Sequence, residues 1–214
     1  DSNTTASNSV AIGMNALGLN TTGTQNIAIG VETLDANTTG SYNVGLGKGA
    51  LGSNTTANYN TAVGQEALGA NTTGTLNVAV GAFALYDNTT GNNNIAQGYH
   101  ALGNNTTGSN NTAIGQEALV GNTTGTQNVA VGSLALDAAT TAHSNTAVGY
   151  NSLGDNTTGA ENVALGMQAL QDNTTASNNT AIGTQALRLN TTGDSLLYCI
   201  TSKHNRDAER SCWC

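Results

Sequence analysis

The chain has 214 residues with a net charge of -8, 8% charged and 4% aromatic side chains, 27 Gly and no Pro. So few charged and large apolar groups exclude a thick-cored globule, and any core has to be narrow. Ten acidic side chains against Lys48 and Arg188 in residues 1 to 193 exclude a phosphate-binding surface, and no run approaches the ~18 apolar residues of a membrane span, so neither nucleic acid nor membrane insertion is expected.

Residues 1 to 193 form one array. The dipeptide Thr-Thr begins at residue 4 and recurs every 17 residues to 191, and Gly and Leu recur at the same interval from Gly13 to Gly183 and from Leu17 to Leu187. The unit reads N-T-T-G-x-x-N-[VIT]-A-[IVL]-G-x-x-A-L-x-x. A period that tolerates no insertion predicts stacked coils, because an insertion would misalign every ladder between neighbours. Helical repeats are excluded: a helix pair needs about 33 residues per unit, and this density of Gly and β-branched Thr undermines helices. The fold class expected is therefore all-β, a parallel β-solenoid or β-roll. At about 4.8 Å per coil it makes a rod of roughly 50 Å.

Within one unit, N-V-A-V-G at 77 to 81 alternates larger and smaller side chains, the period of a short strand. Val78 and Val80 are expected to point into the coil and Ala79 outward, with Gly81 turning the backbone. The next segment, such as Glu66-Ala67-Leu68, adds one Leu per coil to the interior. Asn-Thr-Thr-Gly makes the other corner, where Asn and Thr side chains bond nearby backbone and Gly accepts positive φ. The first inward position is Thr in four copies, Thr61, Thr112, Thr146 and Thr180. A single rod is thus thinly filled, and its flat Ala face would admit neighbouring chains, which predicts a homotrimer or a laterally packed filament.

Asn-Thr-Thr matches the N-glycosylation acceptor at Asn3, Asn20, Asn37, Asn54, Asn71, Asn88, Asn105, Asn122, Asn156, Asn173 and Asn190, with Ala139 replacing the Asn of one copy. The competing reading is that these residues form side-chain ladders at a turn. Stacked Thr pairs such as Thr72 and Thr73 also suggest an ice-binding face, although neighbouring strand residues point to opposite sides. His100, His143 and His204 occupy different repeat positions and no nucleophile or paired-carboxylate pattern accompanies them, so no catalytic residue and no cofactor is expected. Gly45-Leu46-Gly47-Lys48-Gly49 lacks the spacing and hydroxyl of a phosphate loop. Glu66 and Glu117 share a repeat position, but the Asp-rich turns of calcium-binding rolls are missing, and no metal is expected along the rod.

From Asp194 to Cys214 the pattern breaks, and this tail holds all three cysteines and the single Trp. Cys199, Cys212 and Cys214 are candidate disulfide partners, including between subunits. A zinc site of Cys199, His204, Cys212 and Cys214 has an unfamiliar spacing. The tail is expected to cap the last coil.

Ser9-Val10-Ala11-Ile12-Gly13, Asn26-Ile27-Ala28-Ile29-Gly30 and Asn128-Val129-Ala130-Val131-Gly132 resemble the S-V-A-I-G repeat of trimeric autotransporter adhesin heads. Similar N-T-T-G units occur in phage tail-fibre-like proteins. The resemblance covers residues 1 to about 193. It implies a left-handed β-roll in an intertwined trimer that binds a host-surface protein or glycan. The adhesin repeats are shorter, and no coiled-coil stalk or membrane anchor accompanies the array here. The function expected is a structural or adhesive fibre segment, extracellular or on a cell or virion surface, without catalysis. A self-assembling glycoprotein filament and an ice-binding solenoid are the alternatives.

Overall fold

The computed structural model describes residues 7–199. Twelve three-residue strands, from β1 (Val10–Ile12) through β5 (Val78–Val80) and β6 (Ile95–Gln97) to β11 (Thr180–Ile182) and β12 (Leu197–Cys199), stack in sequence order into one parallel sheet. Every pairing is in register at 17 residues, as in Thr61 with Val78 and Val78 with Ile95. The chain is a β-solenoid of 17-residue coils, and no helix occurs among the described residues. Strand stacking also runs past residue 193, since β12 pairs with β11.

Backbone hydrogen bonds between coils extend well beyond the strands. In the coil of β5, the N–H groups of Val78, Leu85 and Thr89 donate to the following coil at 2.8, 3.0 and 2.9 Å, while those of Gly81 and Phe83 donate to the preceding one at 2.8 and 2.9 Å. A coil with three strand residues is thus tied to its neighbours around most of its circumference, which is why turn-forming sequence can be regular here.

The strand faces are the reverse of the sequence expectation. Ala79 is fully buried, whereas Val78 and Val80 are 38% and 37% exposed. The middle Ala points into the covered coils, with Gly45 in its place in one of them, and the flanking residues point out, including Thr61, Thr112, Thr146 and Thr180, which flank buried Ala62, Ala113, Ala147 and Ala181. Volume explains the inversion. The interior of each coil already holds a buried Leu such as Leu85, a second Ala such as Ala84, and two Asn side chains such as Asn77 and Asn88, and only a methyl group fits opposite them. The inward Leu column is as expected.

The turn chemistry also differs in place. Gly81 has φ +134, and a Cβ there would collide with the Gly98 carbonyl of the next coil, so the glycine after the strand is required twice over. The corner glycines of Asn-Thr-Thr-Gly do not have positive φ; Ala57, Ala142 and Ala176 take the same position. Left-handed backbone falls instead two residues later, as at Tyr42 (φ 62) and Leu76 (φ 60), and again in the segment after the strand, as at Glu66 (φ 56) and Leu68 (φ 53). Each costs an L-residue about 1–2 kcal/mol, offset by the inter-coil bonds that hold it.

Candidate interaction surfaces

Three surfaces of the rod could carry function: the corner, the outward strand face and the segment that follows the strand. The corner is built on two asparagine ladders. In the first, Asn37 Nδ2 donates to Asn20 Oδ1 of the preceding coil at 2.9 Å and to the Gly40 carbonyl at 3.0 Å, and the pattern repeats down to Asn122, which donates to Asn105 Oδ1 at 2.8 Å. In the second, Asn26 Oδ1 accepts from the backbone N–H of Asn43 at 2.9 Å and Asn26 Nδ2 donates to the Gly40 carbonyl at 2.7 Å. One carbonyl per coil therefore ties both ladders together.

This places the expected N-glycosylation residues. Asn20, Asn37, Asn54, Asn71, Asn88, Asn105, Asn122, Asn156 and Asn173 are buried at 0–2% exposure. Their Nδ2, the atom a glycan would occupy, donates to a carbonyl three residues on. Asn190 is half-buried and bonds Gly193 in the same way at 3.0 Å. Asn3, Cys212 and Cys214 lie outside the described residues, as does His204, and of Cys199 the backbone alone is placed, in β12.

The two threonines of the corner separate in role. The first, such as Thr72, donates its hydroxyl to the Thr89 carbonyl at 3.0 Å, while the second, Thr73, is exposed. The column from Thr22 to Thr192 is exposed at every coil. His100 and His143 lie on different parts of the coil, with the His100 ring 6.0 Å from that of Tyr99. Among the described residues no three His, Cys, Asp or Glu side chains are placed to hold a metal ion.

The outward strand face presents two apolar columns, with Ile27 39%, Leu46 44%, Ile95 43%, Leu165 38% and Ile182 41% exposed. Columns two residues apart in a strand are about 6.6 Å apart, and the sheet runs roughly 50 Å, so the patch covers about 300 Å² or more, comparable to the largest patch on a typical soluble monomer. Sequence reading missed this face by assigning it to the interior. The signal was present at Gln97, a polar residue in an otherwise apolar column that is exposed in β6. Aromatics add to the surface: exposed Tyr42 and Tyr59 stack with ring centroids 4.9 Å apart, and half-buried Phe83 meets half-buried Tyr86 and exposed Tyr99 edge-on at 5.8 and 6.3 Å.

No family model, curated protein or solved structure matches the chain.

Proposed function

We propose that this chain is a segment of a non-catalytic surface fibre in which three copies pack their outward strand faces around a common axis. The supporting observation is that face: a mostly apolar strip of Val, Ile, Leu and Thr columns running the length of the sheet, outside a coil whose interior has no need of them. Three such strips facing one another bury the branched side chains that each coil is too narrow to enclose, and the resulting shared core supplies the burial a single coil lacks. The polar corners then face solvent. A rigid spacer of fixed rise per unit, lengthened by adding units, holds a binding surface away from its base, in keeping with a location outside the cell or on a virion.

Light scattering and cryo-electron microscopy of the purified full chain test this reading. The expected result is a trimer with β-faces at the axis, converted to folded monomers by Val80→Asp with Val148→Asp, which place carboxylates at positions 37% exposed in the single rod. A wild-type chain that stays monomeric at micromolar concentration would sink it.

A further inference from the structure

A face that repeats every coil can slip. When a second rod lies against the two outward columns of the sheet, displacing it by one coil, about 4.8 Å, still sets Val, Ile, Leu and Thr against the same kinds of side chain. Apolar contact alone therefore does not fix how far one rod sits along another. One residue breaks the repetition. From β1 to β11 every strand begins with Val, Ile or Thr, and every strand ends with Val, Ile or Leu except β6, which ends with Gln97. Gln97 is exposed and lies in register between Val80 of one neighbouring strand and Ile114 of the other. Its side-chain amide bonds no group among the described residues.

We infer that Gln97 sets the register of the three-chain assembly by meeting the Gln97 of two further copies at one level on the common axis. A glutamine amide carries two donor N–H groups and an acceptor oxygen. Three of them around a threefold axis close a ring in which each Nε2 donates to the Oε1 of the next copy. Only the level alignment gives this ring. Displacement by one coil sets Gln97 at the level of Val80 or Ile114, and any longer displacement sets it among Val, Ile, Leu or Thr, where a buried amide loses water and gains no matching partner. A staggered set of three also fails to close, since the offset accumulates around the axis and leaves an open end for further copies. In coiled coils a single polar residue in an apolar seam fixes register and subunit number at a cost in stability, for the same physical reason. Thr61, Thr112, Thr146 and Thr180 are weaker markers of register, because a short hydroxyl can turn to nearby backbone.

This role rests on the three-chain fibre reading and adds the alignment of the chains to it. Sedimentation of the full chain and its variants gives subunit number, cryo-electron microscopy gives axial alignment, and circular dichroism checks the fold. Wild type is expected as trimers with their three β6 strands level. Gln97→Val, which repeats the Val80 of the preceding strand, is expected to associate at least as tightly but with several axial offsets, giving ragged or elongated particles. Gln97→Glu brings three carboxylates to one level. At pH 8 it is expected to associate at least tenfold more weakly than Asn104→Asp, the same change of charge at an exposed residue on the segment after the strand. Gln97→Val trimers that stay level, or Gln97→Glu trimers as tight as those of Asn104→Asp, overturn the role of Gln97 and leave the fibre. Wild-type trimers offset along the axis do the same, whereas a wild-type chain that stays monomeric overturns both.

Discussion

The two asparagine ladders run side by side through the same corner, yet one is continuous and the other is cut. From Asn26 to Asn179 every coil contributes an Asn whose Oδ1 receives the backbone N–H of the next. In the neighbouring ladder Ala139 interrupts the series, and the consequence is local and legible: Asn122 Oδ1 is buried with no partner, and Asn156 Nδ2 keeps its Gly159 carbonyl at 3.0 Å but has no side chain above it. The difference lies in what each ladder satisfies. The continuous one receives backbone N–H groups that would otherwise be orphaned in a buried corner, whereas the cut one chiefly links side chains to one another, so losing a member leaves one idle acceptor rather than a broken backbone network.

The largest test of that contrast is Asn94→Ala in the continuous ladder. It strips the acceptor from the Asn111 backbone N–H, now bonded at 3.0 Å, and is expected to destabilise the surrounding coils by about 3 kcal/mol. Hydrogen exchange of the amides in the adjacent coils is the proper measurement, because long repeat arrays do not unfold as one unit. Next in size is repair. Ala139→Asn restores the donor to Asn122 Oδ1 and the acceptor to Asn156 Nδ2, and should slow exchange in its neighbours by the equivalent of about 1–2 kcal/mol; a destabilised variant would mean that the gap is not ladder-shaped.

A smaller comparison lies within the cut ladder itself. Asn71 donates two bonds and accepts a third from Asn88 at 2.8 Å, while Asn122 donates the same two and accepts none. Truncation to Ala should therefore cost roughly 1 kcal/mol less at 122 than at 71. The smallest effect concerns charge beside the gap. Burial, with added repulsion from Asp155 and Glu117, raises the Asp137 carboxyl above its ordinary 3.8, against the lowering influence of its own backbone and of Ala138. The folded coil then holds this proton at pH values where the unfolded chain has released it, so stability falls as pH rises from 3.8 through the raised value and stays lower at neutral pH. Asp137→Asn should stabilise the coil at pH 7 and do nothing below pH 3, as followed by thermal denaturation across that range.

Much of this architecture could be read from spacing alone, because a stack of coils writes one constraint into every unit. The period fixed the coil length, the Leu column marked the interior, and the Asn and Thr positions marked the corner. Alternation in Val78-Ala79-Val80 showed which residues share a face but could not say which face is inside. That depends on the width of the coil, which is set by residues elsewhere in the unit. The middle column, Ala in nearly every copy with Gly at 45, was the better guide, since a position limited by volume admits small residues and a solvent-facing one admits Gln97. The left-handed residues Tyr42 and Leu76 carry no local signature, because the inter-coil bonds impose a conformation their own sequence does not prefer.

The inter-coil bonds run along the axis of the rod, and this has a mechanical consequence. Tension applied between the two ends of a single chain opens the ladder of one terminal coil at a time instead of shearing all coils together. Each detached coil exchanges about 4.8 Å of stacked height for up to roughly 58 Å of extended 17-residue chain. A single rod pulled from its ends would therefore pay out in even steps at nearly constant force, a slack-releasing tether rather than a brittle strut.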